Sequence, residues 1–472
     1  MVQDMQFARG LYDNYELYRE QCLYNRRFKY KNILRLIFGI RNKNIFTVKK
    51  AGESFEGRDI YLISLGHGPK KIFCWSQMHG DEPTATAAIF DIFNFFSAEN
   101  SYTEFKEFIL NTVTLHFMPM VNPDGAEVFQ RRNILEIDLN RDALVRQSPE
   151  SKILNDTFEN IKPDFGFNLH DQERIYTAGI SNRSTAISFH APPFDYERTI
   201  NESRTNSMKL IVQLSSLLNE FIPGHIAKYD DDYEPRAYGD NFAKTGTSIV
   251  LMESGAWTED RERQFLRKLN FVLLLMAFKS IAEETYQFEN QDAYKSIPFN
   301  KELMIDFIIR NVKIIKGDKK IIADIGINYE EINLKNNKDF FFKAMIKDLG
   351  DLSVFTGFRE LDADGLTLHP GKTSEQSFHS FEELNNVNPI ELFENNCTNV
   401  KVDIETTEFE YSPYPFNVVL KNHAVNSNQI KVEALPNFIL RKEGKFKYAV
   451  VNGFLYDANL IQLGGGNGLI IK

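Results

Sequence analysis

Up to about residue 290 the chain alternates short apolar runs with stretches of helical period; beyond that point the alternation stops. Candidate strands fall at 59–65, 71–76, 112–118, 165–169 and 247–252. Several are apolar throughout, the pattern of strands buried on both faces. Between them, Pro83 suits a helical first turn. It is followed by Ala85, Ala88, Ile89, Ile92, Phe93 and Phe96 on one helical face. A second helical pattern covers 208–221. A third starts from Thr258 as N-cap, with Glu259 and Asp260 in its first turn. Strand–helix alternation of this kind predicts an α/β domain with a largely parallel sheet over residues 1–290.

From 304 to 472 no long helix-period segment appears. Short extended runs stand at 312–315, 340–346, 401–404, 417–420, 448–451 and 469–471. Turn clusters separate them: Lys316-Gly317-Asp318, Asp364-Gly365, His369-Pro370-Gly371 and the glycine-rich 464–468. A second, smaller domain is expected over residues 300–472, β-rich and sandwich-like.

Composition narrows the function class. Hydrophobic residues at 43% and charged residues at 25% are ordinary for a soluble globular chain. The net charge of −10 argues against a nucleic-acid binder, which needs a basic footprint. Three cysteines, Cys22, Cys74 and Cys397, cannot build a disulfide framework, so a reducing compartment is expected. The first residues show neither a basic n-region nor an apolar h-region, and the apolar run 271–278 is far short of the ~20 residues that span a bilayer. The expectation is a cytoplasmic protein with no membrane partner. The 40 phenylalanines fall mostly at core-facing positions and read as packing.

Four of the strand-like runs end in residues able to do metal chemistry. The run 71–76 leads into Gln77-Met78-His79-Gly80-Asp81-Glu82, and 112–118 into Asn122-Pro123-Asp124-Gly125. The run 165–169 ends at His170-Asp171-Gln172, and 247–252 at Glu253-Ser254-Gly255. Open α/β sheets bind ligands outside the carboxyl ends of their strands, so these residues converge if the sheet forms. His79 and Glu82, three apart across a strand-to-helix turn, offer an imidazole and a carboxylate to one cation. His170 completes a His₂Glu set of the kind that holds catalytic zinc with water in the open position. Glu253 is the natural carboxylate to take a proton from that water and pass it to a leaving nitrogen. Asn122–Gly125 alone reads as a turn that shapes the site. His67, His116, His190, His225, His369, His379 and His423 have no partner spacing that suggests a metal.

Taken in order, His79-Gly80-Asp81-Glu82, Asn122-Pro123-Asp124-Gly125, Arg131-Arg132-Asn133, Asp138-Leu139-Asn140-Arg141, His170 and Glu253 resemble the M14 family of zinc carboxypeptidases over roughly residues 25–285. The resemblance implies a three-layer α/β/α catalytic domain with a mostly parallel mixed sheet. It implies one Zn²⁺ per chain, held by His79, Glu82 and His170, with Glu253 as general base and acid. It further implies that Asn140 and Arg141 hold a substrate's terminal carboxylate. Arg131 would polarise the scissile carbonyl, with Arg132 the less favoured occupant of that role, and Asp138 would hydrogen-bond a zinc-binding histidine. The family's mobile tyrosine should lie some twenty residues before Glu253; Tyr229, Tyr233 and Tyr238 all fall nearby, and Tyr238 is taken as the candidate.

Two features depart from the digestive members of that family. Position 81 is Asp where they place a substrate-binding Arg, and no propeptide is expected before the domain. The acidic stretch Asp230-Asp231-Asp232 with Glu234 suits basic substrates or a solvated loop equally. The function expected is removal of a C-terminal residue from peptides. The alternative is a deacylase of N-acyl amino acids, like the succinylglutamate desuccinylase and aspartoacylase branch, acting on substrates that also carry a free carboxylate. A zinc-binding scaffold without turnover is disfavoured by Glu253, which such a protein does not need.

Overall fold

In the computed structural model the described residues are 2–425, 429–463 and 465–472, and the chain divides into two compact units, Met1–Glu302 and Leu303–Lys472. The first unit contains β1 (Thr47–Glu53), β2 (Asp59–Leu65), β3 (Lys70–Ser76), β4 (Val113–Met118), β5 (Phe165–Asp171), β6 (Thr177–Ala178), β7 (Ile187–His190), β8 (Ile226–Lys228), β9 (Ser248–Ser254) and β10 (Asn300–Lys301). Its helices are α1 (Val2–Asp13), α2 (Tyr30–Arg41), α3 (Thr84–Ser97), α4 (Thr103–Thr112), α5 (Pro123–Val128), α6 (Pro149–Ile161), α7 (Glu202–Leu218), α8 (Tyr238–Ala243) and α9 (Gln264–Glu283).

Eight of these strands form one sheet in the order β1-β2-β4-β3-β5-β9-β7-β8. The central four, β4-β3-β5-β9, are parallel, while β1, β2 and β7 join antiparallel, so the sheet is mixed as expected. Both faces of the centre are buried, and strand alternation divides the side chains between two cores. Ile72 and Cys74 of β3, with Phe165, Phe167 and Leu169 of β5, face a large cluster shared with α3, α7 and α9. Phe73, Trp75 and Ile249 face a smaller one shared with α6 and α8. This is the three-layer α/β/α arrangement. Gly166 sits where a Cβ would come within 2.6 Å of Ile249 and 3.1 Å of Trp75, so its lack of a side chain gives Trp75 its room.

Two helix starts differ from expectation. The 208–221 helix starts earlier, at Glu202, capped by Asn201. The helix expected from Thr258 begins instead at Gln264, after Arg263 takes a left-handed conformation at φ 53°. Asp260 still serves the free N–H groups, but from the preceding turn: its carboxylate accepts from the amides of Gln264, Phe265 and Leu266. The apolar run 271–278 lies inside α9, buried within the unit. Among the described residues no helix is long and apolar enough to cross a membrane.

The second unit is β-rich, as expected. It comprises β11 (Met304–Lys316), β12 (Lys319–Asn333), β13 (Phe340–Gly350), β14 (Thr356–Asp362), β15 (Thr367–Pro370), β16 (Lys372–Phe378), β17 (Cys397–Val402), β18 (Tyr411–Ser412), β19 (Asn417–Val419), β20 (Phe438–Lys442), β21 (Lys445–Val451), β22 (Phe454–Asp457) and β23 (Gly468–Ile471), with one short helix, α10 (Pro389–Glu394). All six extended runs read from the sequence fall within or across these strands. Of the glycine-rich turn 464–468, Gly464 lies outside the described residues. One sheet runs β13-β12-β11-β15-β20-β21-β22 with β14 beside β11, and a second runs β16-β17-β19-β23-β18. The first sheet folds back over itself. Asn452, in the turn after β21, accepts from the Ala344 amide and donates to the Phe342 carbonyl of β13. Phe438, Leu440 and Val450 accordingly share a core with Ile327 and Ile346, while the alternate residues Ile439, Ala449 and Val451 pack on Phe393 of α10.

Candidate active site

Three parallel strands deliver the site. After β3 the chain turns at Gln77 (φ 49°) and passes through His79 and Glu82 before entering α3. Gly80 makes this loop possible: a Cβ there would stand 2.1 Å from the Gly125 backbone. Asn122 braces the loop by accepting from the Gly125 amide and donating to the Met78 carbonyl; the Asn-Pro-Asp-Gly segment, expected as a turn, opens the short helix α5 with Asn122 as its N-cap and supports the site from there. His170 is the penultimate residue of β5 and lies directly opposite Glu253 of β9 in the parallel ladder.

His79, Glu82 and His170 converge with one ligand atom each within 4.8 Å of one another, the one such group among the described residues. His79 Nδ1 lies 2.7 Å from Glu82 Oε1, and His170 Nδ1 lies 2.8 Å from Glu82 Oε2. The two Nδ1 atoms are 3.2 Å apart. Two imidazoles and a carboxylate turned toward one point are a donor set that fits a tetrahedral cation. The second ring nitrogen of His79, Nε2, lies 3.1 Å from Asp138 Oδ1, the outer contact that fixes a ligand histidine's tautomer and ring plane.

Electrostatics reinforce the cluster. Burial disfavours a charged His79, but Glu82 and Asp138 outweigh it and push its pKa up to about 9. Burial likewise opposes ionised Glu82, yet the two histidines hold its carboxyl well below the usual range. His170 is shifted down, burial dominating. Burial, and then the neighbouring Glu82 charge, raise Glu253 well above an ordinary glutamate. Asp81 is pushed up to about 6 by the same two causes.

Arg131 spans the cluster. Its Nε and NH2 donate to Asp138 Oδ2 at 3.2 and 3.1 Å, and its NH1 lies 3.2 Å from Glu82 Oε1 and 3.1 Å from His79 Nδ1. Arg132 turns elsewhere, donating to the Glu136 carbonyl at 2.8 Å, so of the two adjacent arginines only Arg131 is brought to the cluster. Asp138 also caps the short turn that carries Asn140 and Arg141, accepting from the Asn140 amide at 2.9 Å. The Asn140 side chain accepts from the Tyr238 amide at 3.0 Å, and Arg141, partly exposed, faces Glu234 at 3.5 Å.

Tyr238 is not at the site. It is fully buried beside Phe242, and its hydroxyl donates to the Ser151 carbonyl at 2.7 Å. Tyr238 and Phe242 are four apart, and α8 turns both toward the core; distance along the chain from Glu253 could not reveal that. Tyr229 is the tyrosine within electrostatic reach of Glu253 and Glu82; burial first and Glu253 next push its hydroxyl far up. Tyr233 packs edge-on against Tyr196 instead. Of the acidic stretch, Asp231 pairs with the buried Arg204 at 2.8 Å, Asp232 with Arg198 and Glu234 with Arg236 at 2.8 Å, so most of its carboxylates are engaged within the chain.

Two supports go beyond what the sequence assigned. Asp171 accepts from Thr84 Oγ1 at 2.7 Å, tying the end of β5 to the start of α3. Arg263, just before α9, donates to the Ser254 carbonyl at 2.8 Å and the Gln172 carbonyl at 3.2 Å, and reaches Asp171 Oδ2 at 3.5 Å. A Thr at a helix start is a weak hint of the first; nothing local marks the second.

Two histidines and a glutamate able to hold a metal thus stand together at the carboxyl ends of parallel strands. Residues 38–160 match the zinc carboxypeptidase family, Peptidase M14, which bears out the resemblance seen in the ordered motifs. Carboxypeptidase SOL1 of Arabidopsis thaliana is 30% identical over 111 residues, 22% of this chain and 23% of that protein. Carboxypeptidase M of Mus musculus is 25% identical over 173 residues, 30% of this chain and 39% of that one. The matches thus span well under half the length of these curated relatives. A metallo-carboxypeptidase from Burkholderia cenocepacia aligns with TM-score 0.45 at 16% identity, covering 54% of this chain and 69% of its own.

Proposed function

We propose that the chain is a zinc-dependent carboxypeptidase that removes the C-terminal residue of a peptide. The observation that carries this reading is the convergence of His79, Glu82 and His170 beside Glu253, in register on the next strand. His79, Glu82 and His170 would hold one zinc, which when bound polarises a carbonyl and lowers the pKa of a water. Glu253, held proton-hungry by burial and the Glu82 charge, accepts the water's proton and delivers it to the leaving nitrogen. Arg131 offers its guanidinium to the negative charge that develops on the carbonyl oxygen. Arg141, with Asn140, receives the terminal carboxylate, for which a guanidinium fork is the best partner. Tyr229, the tyrosine whose hydroxyl feels the Glu253 charge, takes the part expected of the family's mobile tyrosine.

The relatives' names support peptides as substrates. Deacylation of N-acyl amino acids remains the second reading, since the same anchor would hold them. Glu253→Gln tests the first: metal content should stay at about one zinc per chain while turnover of a peptide panel falls about 10²–10⁴-fold. Loss of the metal with the glutamine variant, or undiminished turnover, would refute the assignment of Glu253.

A further inference from the structure

In the second unit the β11–β12 hairpin ends in a motif of near mirror symmetry. Lys313-Ile314-Ile315-Lys316 and Lys319-Lys320-Ile321-Ile322 flank the turn Gly317-Asp318. Gly317 takes φ 61°, the left-handed conformation that glycine supplies at the first position of a two-residue hairpin turn. The cross-strand pairs Lys313–Ile322, Ile314–Ile321, Ile315–Lys320 and Lys316–Lys319 fix the register. Strand alternation then sorts the side chains. Ile314 and Ile321 leave the face that carries Val312 into the core, while Lys313, Ile315, Lys320 and Ile322 leave the opposite, outer face.

The hairpin outruns its neighbours. β15 pairs with β11 at Lys313 and Ile314, and β13 meets β12 from Asp324 onward. Three isoleucines are consequently left in solvent, Ile315 at 45%, Ile321 at 58% and Ile322 at 65% exposure. Lys316, Lys319 and Lys320 are exposed beside them, and among the described residues none of the four lysines pairs with a carboxylate. Asp318 is the single acid within 313–322, and the next, Asp324, is engaged by Arg310 at 3.1 Å.

Lysines alone are the ordinary protection of a free strand edge against pairing with another chain. Isoleucines set among them undo that protection, so the outer face suits a partner that is at once apolar and anionic. A second copy would bring like charge against like, and a nucleic acid has no use for isoleucine. A bilayer with anionic headgroups meets both demands. Lysine stems lie along apolar surface while their ammonium groups reach phosphate, and a basic cluster is drawn to a negative leaflet. The chain's net charge of −10 opposes this only weakly, since exposed charges more than about 10 Å apart are screened in 0.1 M salt. A surface contact requires no spanning helix, so the lack of one among the described residues is compatible with it.

We propose that the outer face of the β11–β12 hairpin lies on an anionic lipid surface, with Ile315 and Ile322 in the interface and Lys313 and Lys320 on headgroup phosphates. The contact belongs to the second unit and stands apart from the carboxypeptidase reading.

The test sediments the full chain with phosphatidylcholine vesicles, with and without phosphatidylserine. The chain should bind the anionic vesicles about tenfold or more tightly than the neutral ones, and salt should release it. Lys313→Gln with Lys320→Gln should weaken binding to anionic vesicles about 25-fold, about fivefold for each lysine. Ile315→Ser with Ile322→Ser should weaken it at least about tenfold, and Ile321→Ser, on the core-side face, less than about twofold. These side chains are exposed, so circular dichroism and thermal midpoint should stay unchanged and place the losses at the surface. No binding to anionic vesicles, equal binding to both kinds, or equal losses in Ile321→Ser and the isoleucine pair overturns the proposal. Self-association that the isoleucine pair abolishes, without vesicle binding, overturns it in favour of a second copy. Retention on heparin that the isoleucine pair leaves intact, while vesicles stay unbound, overturns it in favour of charge alone.

Discussion

Asp240 offers a measurable link between burial and pH. Its carboxyl lies just inside α8, accepting from the Glu234 amide at 3.0 Å, and is buried enough that its pKa rises from 3.8 to about 7 despite the nearby Arg141 charge. In the unfolded chain the same carboxyl ionises near its ordinary value. The folded state therefore binds the extra proton between pH 4 and 7, and stability falls as pH rises through that window. At 1.36 kcal/mol per unit, the loss reaches about 4 kcal/mol by pH 8. Asp240→Asn keeps an oxygen acceptor for the Glu234 amide and carries no titratable proton. Its stability relative to wild type should be close to zero at pH 4 and on the order of 4 kcal/mol greater at pH 8. Denaturant unfolding followed by tryptophan fluorescence is the suitable assay. Both tryptophans, Trp75 and Trp257, belong to the first unit, so the signal reports that unit alone. A variant whose advantage is the same at both pH values would refute the claim that Asp240 is held protonated by the fold.

Asp138→Ala should weaken zinc affinity about 10–100-fold, measured by competition with a chelator, because His79 loses the contact that orients it. Tyr238→Phe should cost about 1 kcal/mol of stability through the lost bond to Ser151 and leave kcat unchanged, as befits a core residue. Asp91→Ala should destabilise the first unit by about 3–5 kcal/mol in the same fluorescence assay, since it strands the buried Arg267 guanidinium that now pairs with Asp91.

How far the sequence reveals this molecule depends on what each residue's neighbours are made of. The central strands β3, β5 and β9 were readable because they are largely apolar along their length, a signal that needs no tertiary context. β1 was not, since its residues, Lys49 and Lys50 among them, are largely exposed and it pairs with β2 alone. β7 and β8, at four and three residues, are too short to show a period. The metal cluster was legible because its members sit at the ends of readable strands. Arg131 and Arg132 were ambiguous because adjacent residues have equal sequence claims, and only the turn at 133–137 decides which guanidinium faces the cluster. Tyr238 misled because spacing from Glu253 carries no information about which way α8 faces. Asp171 and Gln172 were visible only as the residues after His170, while Arg263 acts through contacts between segments distant in sequence, and no local pattern marks it.

Several of the contacts that make the site close long loops. His79 meets His170 across 91 residues, Glu82 meets His170 across 88, and Arg263 meets Gln172 across 91. Each such closure costs chain entropy that only a completed sheet repays. A partly folded chain, even one with β3 and α3 in place, therefore holds one histidine and one carboxylate but no third ligand. On the zinc reading, metal capture would be a late folding event, and uptake of zinc during refolding would clock the arrival of β5. By mass action, a cation that binds only the finished fold then stabilises the whole first unit, adding about 4.1 kcal/mol when it is a thousandfold above its dissociation constant.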